Sequence, residues 1–166
     1  QMCIRDRMKA IIAAAAISLM GAAQVFAEGI EIRRSGNTPS VMGNAANFSG
    51  HAVVSPLLPP NESTRANLGQ VDFTPGARTA WHTHPAGQLL IVTAGKGWVQ
   101  EEGKTRQEIA PGDVVWIPAT VRHWHGATST SPMSHLAMTY MVDGKNVDWQ
   151  EPVSYTHLTL PTICSV

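Results

Sequence analysis

Cysteine is almost missing from this chain. The two present, Cys3 and Cys164, each lie close to an end, so neither a disulfide framework nor thiol chemistry can be argued. Charge is sparse as well: twelve Lys and Arg face twelve Asp and Glu, together 14 % of the residues. No basic patch or charge run points to nucleic acid or anionic lipid as a partner. Helical periodicity of useful length is lacking beyond the N-terminal segment. So are repeats of solenoid length and low-complexity tracts.

The two ends need separate treatment. Residues 2–6, MCIRD, can be encoded ATG TGT ATA AGA GAC, and the reverse complement of that string encodes VSYTH, which is residues 153–157. One adapter translated at both ends accounts for this. Residues 1–7 and 153–166 are therefore read as non-native, adapter-derived tails outside the fold. The native start is then Met8. Residues 8–27, MKAIIAAAAISLMGAAQVFA, carry one lysine, an apolar stretch short for a membrane span, and a small-residue cleavage site ending at Ala27. That is the pattern of a secretory signal peptide. The expectation is export across the inner membrane to the periplasm, with no membrane attachment after cleavage. Residues 28–152 suit one domain with a single core. They hold nine Lys and Arg and eleven Asp and Glu, a net charge near −2 with histidine neutral.

Residues 33–50, rich in Gly, Asn and Ser, read as an irregular N-terminal arm. From there short apolar runs alternate with turn residues, which predicts an all-β domain. The predicted strands are 51–55, 68–73, 78–84, 88–94, 97–101, 105–109, 113–117, 121–126 and 134–141. Pro56, Pro75-Gly76, Glu102-Gly103 and Pro111-Gly112 break the chain between them. Many short antiparallel strands without a long helix mean a sandwich or a small barrel closed on itself.

Against this background the stretch AWHTHPAGQ, residues 80–88, is unusual. Side chains alternate faces along a strand, so His82 and His84 project together with Thr83 opposite. Pro85-Ala86-Gly87 turns the chain, and Gln88 opens the neighbouring strand, within reach of both imidazoles. Downstream, VRHWHG repeats the device: His123 and His125 share a face and Trp124 takes the other. Three imidazoles and a carbonyl oxygen inside a barrel can coordinate a divalent first-row metal and leave positions open for water or substrate. All such donors are neutral, which suits a Lewis acid better than a centre that must reach a higher oxidation state.

The spacing resembles that of a known family. Gly76-x5-His82-x-His84-x3-Gln88-x6-Gly95 is similar to the first cupin motif, and Gly112-x5-Pro118-x-Thr120-x2-His123 to the second. Three positions depart from the family pattern: Gln88 stands for the usual Glu, Thr120 for Gly and Ala127 for Asn. The segments PGARTAWHTHPAGQLLIVTAGKGW, PGDVVW, HWHGA, SHLAM and DGKNVDW resemble the small bacterial cupins typified by the manganese-dependent (R)-selective hydroxynitrile lyase. The resemblance implies a double-stranded β-helix, or jelly-roll barrel. It also implies His82, His84, Gln88 and His123 as metal ligands, and cleavage or formation of cyanohydrins from an aldehyde and cyanide. Manganese is the metal it suggests; iron, cobalt, nickel and zinc suit the same donors.

His125 and His135 are the candidate catalytic residues, moving protons at the hydroxyl and at the leaving cyanide. The plainer readings are that His125 only orients a ligand and that His135 is satisfied by a backbone carbonyl. His51 reads as a surface residue, and Arg78 and Arg122 as rim residues in structural ion pairs. Trp81, Trp98, Trp116 and Trp124 read as core and interface packing. Two other functions stay open: a metal-dependent oxidoreductase or dioxygenase on a small organic substrate, and an exported metal-binding cupin of other activity. The partner in each case is a small molecule. A barrel this small with exposed apolar strand faces is expected to form a homodimer or homotetramer, the N-terminal arm supplying strands across the interface.

Overall fold

Residues 29–34 and 36–154 are described by the computed structural model. Residues 8–27, read above as a signal peptide, the tail 1–7 and the tail from residue 155 onward lie outside them. Thirteen strands, and no helix, make up the described residues: β1 (Val41–Met42), β2 (Phe48–Ser49), β3 (Ala52–Leu58), β4 (Ala66–Phe73), β5 (Arg78–Thr79), β6 (His82–Thr83), β7 (Gln88–Gly95), β8 (Gly97–Glu101), β9 (Gln107–Ile109), β10 (Val114–Ile117), β11 (His123–Ala127), β12 (Met133–Tyr140) and β13 (Asp148–Trp149). All lie in the unit that begins at Ile32.

The strands form two antiparallel sheets. One runs β1-β3-β4-β12-β7-β10, and the other β13-β6-β11-β5-β2 with β8 against β11 and β9 beyond it. Their curvature makes the jelly-roll barrel expected from the strand pattern. Period-two alternation decides which side chains enter it. In β7, Gln88, Leu90 and Val92 are buried while Ile91 is exposed. In β12, His135 is buried and sits opposite Val71 of β4 on one side and Val92 of β7 on the other. Inside, Phe73, Val92, Met133, Ile109 and Val71 pack as one cluster. Burying a side chain such as Phe73 is worth about 3 kcal/mol.

Two glycines are required by the path of the chain. Gly87, in the turn between β6 and β7, has φ of 83°, and a Cβ there would stand 2.8 Å from the Ile117 carbonyl oxygen. Gly95, ending β7, has φ of 74°, and a Cβ would stand 1.9 Å from the Pro132 carbonyl oxygen. No L side chain fits either place.

Several details differ from the strand pattern. Pro56 does not break the chain as expected but lies inside β3, paired with Gly69, with a register shift just after it. The predicted strand 78–84 is broken at Ala80-Trp81 into β5 and β6. The Ala80 carbonyl accepts a hydrogen bond from the His82 ring instead of serving as a regular ladder acceptor (2.9 Å). The N-terminal arm contains β1 and β2, which pair with β3 and β5 of the same chain. Val153, placed in the translated tail by its coding pattern, is 2 % exposed and packs with Trp81 and Trp124, Trp98 lying against them.

Candidate metal centre

The second sheet brings the two histidine pairs together by register. His123 of β11 lies opposite His82 of β6, and their rings are 4.2 Å apart between centroids. His84, just beyond β6, stands 5.0 Å from His82 and 5.5 Å from His123. His125 stands 5.3 Å from His82 and 5.9 Å from His123. Gln88 reaches in from the other sheet, its Oε1 3.1 Å from His123 Nε2. All five side chains are buried. Candidate nitrogens of His82, His123 and His125 lie within 4.8 Å of one another, a group that can hold a divalent metal.

The ring orientations are set by the backbone. His82 Nδ1–H donates to Ala80 O, His123 Nδ1–H to Val121 O at 2.8 Å, and His84 Nδ1–H to Asn146 O. A neutral imidazole that donates through Nδ1 keeps a bare lone pair on Nε2. His123 Nε2 and Gln88 Oε1 then face each other as two acceptors, and His84 Nε2 is buried without a hydrogen-bond partner. Convergent lone pairs of this kind are what a cation satisfies, so the residues fit a divalent metal bound by neutral donors.

His125 is held differently. Its Nδ1 meets His135 Nε2 at 3.1 Å, and its Nε2 is buried without a partner. Phe73 packs against both rings, with centroids 6.1 and 5.5 Å away. Burial keeps every one of these imidazoles neutral. It pushes His123 and His135 down to about 4. His82 and His125 fall well below the ordinary histidine value, first through burial and then through neighbouring imidazoles. His84 is lowered too, by burial.

A cavity of about 160 Å³ opens onto His82, His84, Gln88 and His125. Phe48, Val54, Val71, Ala137, Val147 and Trp149 give it an apolar wall, and Asn67, Thr79 and Thr139 add polar groups. A larger groove of about 500 Å³ runs past Arg78, Lys96, Trp98 and Arg106, with no histidine in its wall. The histidine cluster therefore opens onto the smaller space.

Asn146 and Trp149 are contributions that sequence reasoning missed. Asn146 accepts from His84 and donates its Nδ2 to Thr139 Oγ1 at 2.9 Å. Trp149 lies on the His82 ring, with centroids 4.7 Å apart. The signal was present in DGKNVDW, but no role followed from its spacing. The other assignments can be placed directly. His51 is exposed, and Arg122 pairs with Glu102 and Glu151 while lying over Trp81. Arg78 donates to the carbonyls of Gly76 and Val153. Trp81 and Trp124 are in the core, but Trp116 is 55 % exposed.

A barrel of this topology with inward-facing histidines defines a class, and comparison with known proteins agrees. The pattern of the cupin domain matches residues 69–146. The chain belongs to the cupin family. It is 50 % identical over 125 residues to the (R)-mandelonitrile lyase of Granulicella tundricola, covering 75 % of this chain and 95 % of that protein. Among solved structures it is similar to a cupin-like protein of Thermotoga maritima. That match has 36 % identity and a TM-score of 0.67, over 80 % of this chain and 96 % of the other. The fold is also that of a predicted oxalate decarboxylase from the same organism, with 20 % identity and a TM-score of 0.59 over 68 % and 100 % of the two chains.

Proposed function

We propose that this protein is a divalent-metal-dependent lyase that splits a cyanohydrin into an aldehyde and cyanide, or joins them. The observation that carries the reading is the meeting of His123 Nε2 and Gln88 Oε1, two buried acceptors, inside a cluster of neutral imidazoles. The 50 % identity to an (R)-mandelonitrile lyase supports it. In this reading His82, His84, Gln88 and His123 hold the metal, manganese in the first instance. With four neutral donors the bound ion would supply Lewis acidity, lowering the pKa of a hydroxyl placed against it.

The rest is done by the chain. The apolar wall from Phe48 to Trp149 holds the organic group of the substrate and keeps water out. His125 Nε2 faces the cavity and takes the hydroxyl proton. Its Nδ1 contact with His135 lets the pair exist in two tautomeric arrangements. With the shared proton on His125 Nδ1, its Nε2 is a base. With that proton on His135 Nε2 instead, His125 Nε2–H is a donor able to meet leaving cyanide. The residues 8–27 support placing this activity in the periplasm.

Cyanide release from mandelonitrile under nitrogen is the test, using protein loaded in turn with Mn, Fe, Co, Ni and Zn. Release that is lost with chelator and in His82→Ala is expected. Full metal occupancy without cyanide release sinks the lyase reading, and oxygen uptake with an enol substrate would assign the site to an oxidoreductase.

A further inference from the structure

Much of the wall around the histidine cavity is apolar, but one row of side chains along it is polar. Register sets Asn67 of β4, Thr139 of β12 and Gln88 of β7 side by side across the six-stranded sheet. All three line the cavity. The next row on that face is Gly69, Ala137 and Leu90, and the one after it Val71, His135 and Val92. Gly69 and Ala137 are small, so space opens between the Thr139 row and the His135 row, about 14 Å apart along the strands. His125, which meets His135, serves one end of that space. Thr139 stands at the other.

The Thr139 side chain is buried, with 7 % of the residue exposed. A hydroxyl has one proton to give and two lone pairs to receive. Asn146 Nδ2 donates to Thr139 Oγ1 at 2.9 Å, and no group among the described residues accepts the Thr139 proton. The carbonyl of the same Asn146 receives His84 Nδ1–H, which fixes the hydroxyl relative to a proposed metal ligand. A buried donor in this state discriminates between ligands, because one without an acceptor leaves it unpaired.

We propose that Thr139 is a specificity-determining residue that donates its proton to an oxygen on the organic group of the substrate. This role rests on the lyase reading for the substrate's other end, where the carbinol hydroxyl meets the metal and His125. The hydroxyl and the departing cyanide are served there, so the part left for Thr139 is the organic group. The substrate class is then a cyanohydrin of an oxygen-bearing aldehyde, favoured over one whose organic group is a plain hydrocarbon.

Tetrahydrofurfuryl alcohol and cyclopentylmethanol test this, since they differ only by an ether oxygen for a ring methylene. Isothermal titration of each into the manganese-loaded protein gives a ratio of Kd values. The wild type is expected to bind the ether at least about threefold more tightly, the scale of one net hydrogen bond. Thr139→Val keeps the shape without the hydroxyl and is expected to lower the ratio at least about threefold, whereas Thr139→Ser keeps it. Circular dichroism and metal content show which variants retain the fold and the site. A smaller preference in the wild type overturns the proposal without recourse to any variant. So does a ratio that Thr139→Val leaves in place, as it would if the ether oxygen met the metal instead. A ratio lost equally in Thr139→Ser would make the residue a packing element and overturn it too. Cyanide release from the two matching cyanohydrins is read separately. No release from either, with the Kd ratio as expected, sinks the lyase reading and leaves the selection by Thr139 standing.

Discussion

At the scale of single residues, the neutral side chain proposed as a ligand at position 88 is the point on which the chemistry turns. Glu in place of Gln88 adds a charge with almost no change in size. A carboxylate is a stronger donor to a hard cation, so Gln88→Glu is expected to keep or tighten metal binding. The same charge weakens the Lewis acid and raises the pKa of a hydroxyl bound at it, so cyanide release should fall at least tenfold. Isothermal titration and saturating-substrate rates separate the two effects. An unchanged rate at full occupancy would show that neutrality at this position is incidental. Thr120 poses a different question. It has φ of 64°, a left-handed conformation that a β-branched residue adopts under strain, and its N–H donates to the His84 carbonyl at 2.9 Å. Cupins usually have Gly there, and the geometry explains why. Thr120→Gly is expected to raise stability by about 1 kcal/mol, readable as a higher urea midpoint with the same slope.

At the scale of elements, the longer strands were legible because alternation and turn residues act locally. The predicted runs 88–94, 97–101 and 134–141 correspond to β7, β8 and β12 within a residue or so. β1, β2 and β13 escaped notice because two residues carry no period; their partners β3, β5 and β6 create them. The site divides the same way. His82, His84, His123 and His125 could be grouped from strand parity. Phe48, Asn146 and Trp149 reach the cavity through tertiary pairing that no spacing reveals. The C-terminal strap is the clearest case. Gln150 N–H donates to Trp81 O and Trp81 N–H to Glu151 O, while the Val153 side chain closes the tryptophan cluster. A chain ending at residue 154 should therefore be more stable than one ending at 152 by about 1.5 kcal/mol, the value of one buried Val side chain. Equal unfolding curves for the two lengths would show that this packing contributes nothing.

For the whole molecule, the cost of burying five imidazoles appears as sensitivity to acid. His123 and His135 titrate near 4 in the folded protein and near 6.5 when unfolded, because burial disfavours the charged ring. Above 6.5 neither state binds these protons, and the two groups make stability independent of pH. Between 6.5 and about 4 the unfolded chain takes them up first, so stability falls as pH falls; below about 4 the loss is complete. Each shift corresponds to about 3 kcal/mol. Two such losses reach the order of the whole stability of a domain this size, about 5–15 kcal/mol. His82, His84 and His125 are displaced in the same direction and steepen the fall. A metal bound to neutral imidazoles competes with those protons, so loading it should move the acid transition to lower pH. Urea melts at pH 7.5, 6, 5 and 4.5, with chelator and with Mn, measure both effects. A midpoint that stays level from pH 7.5 to 5 in chelator would mean that these rings open to solvent before they are protonated.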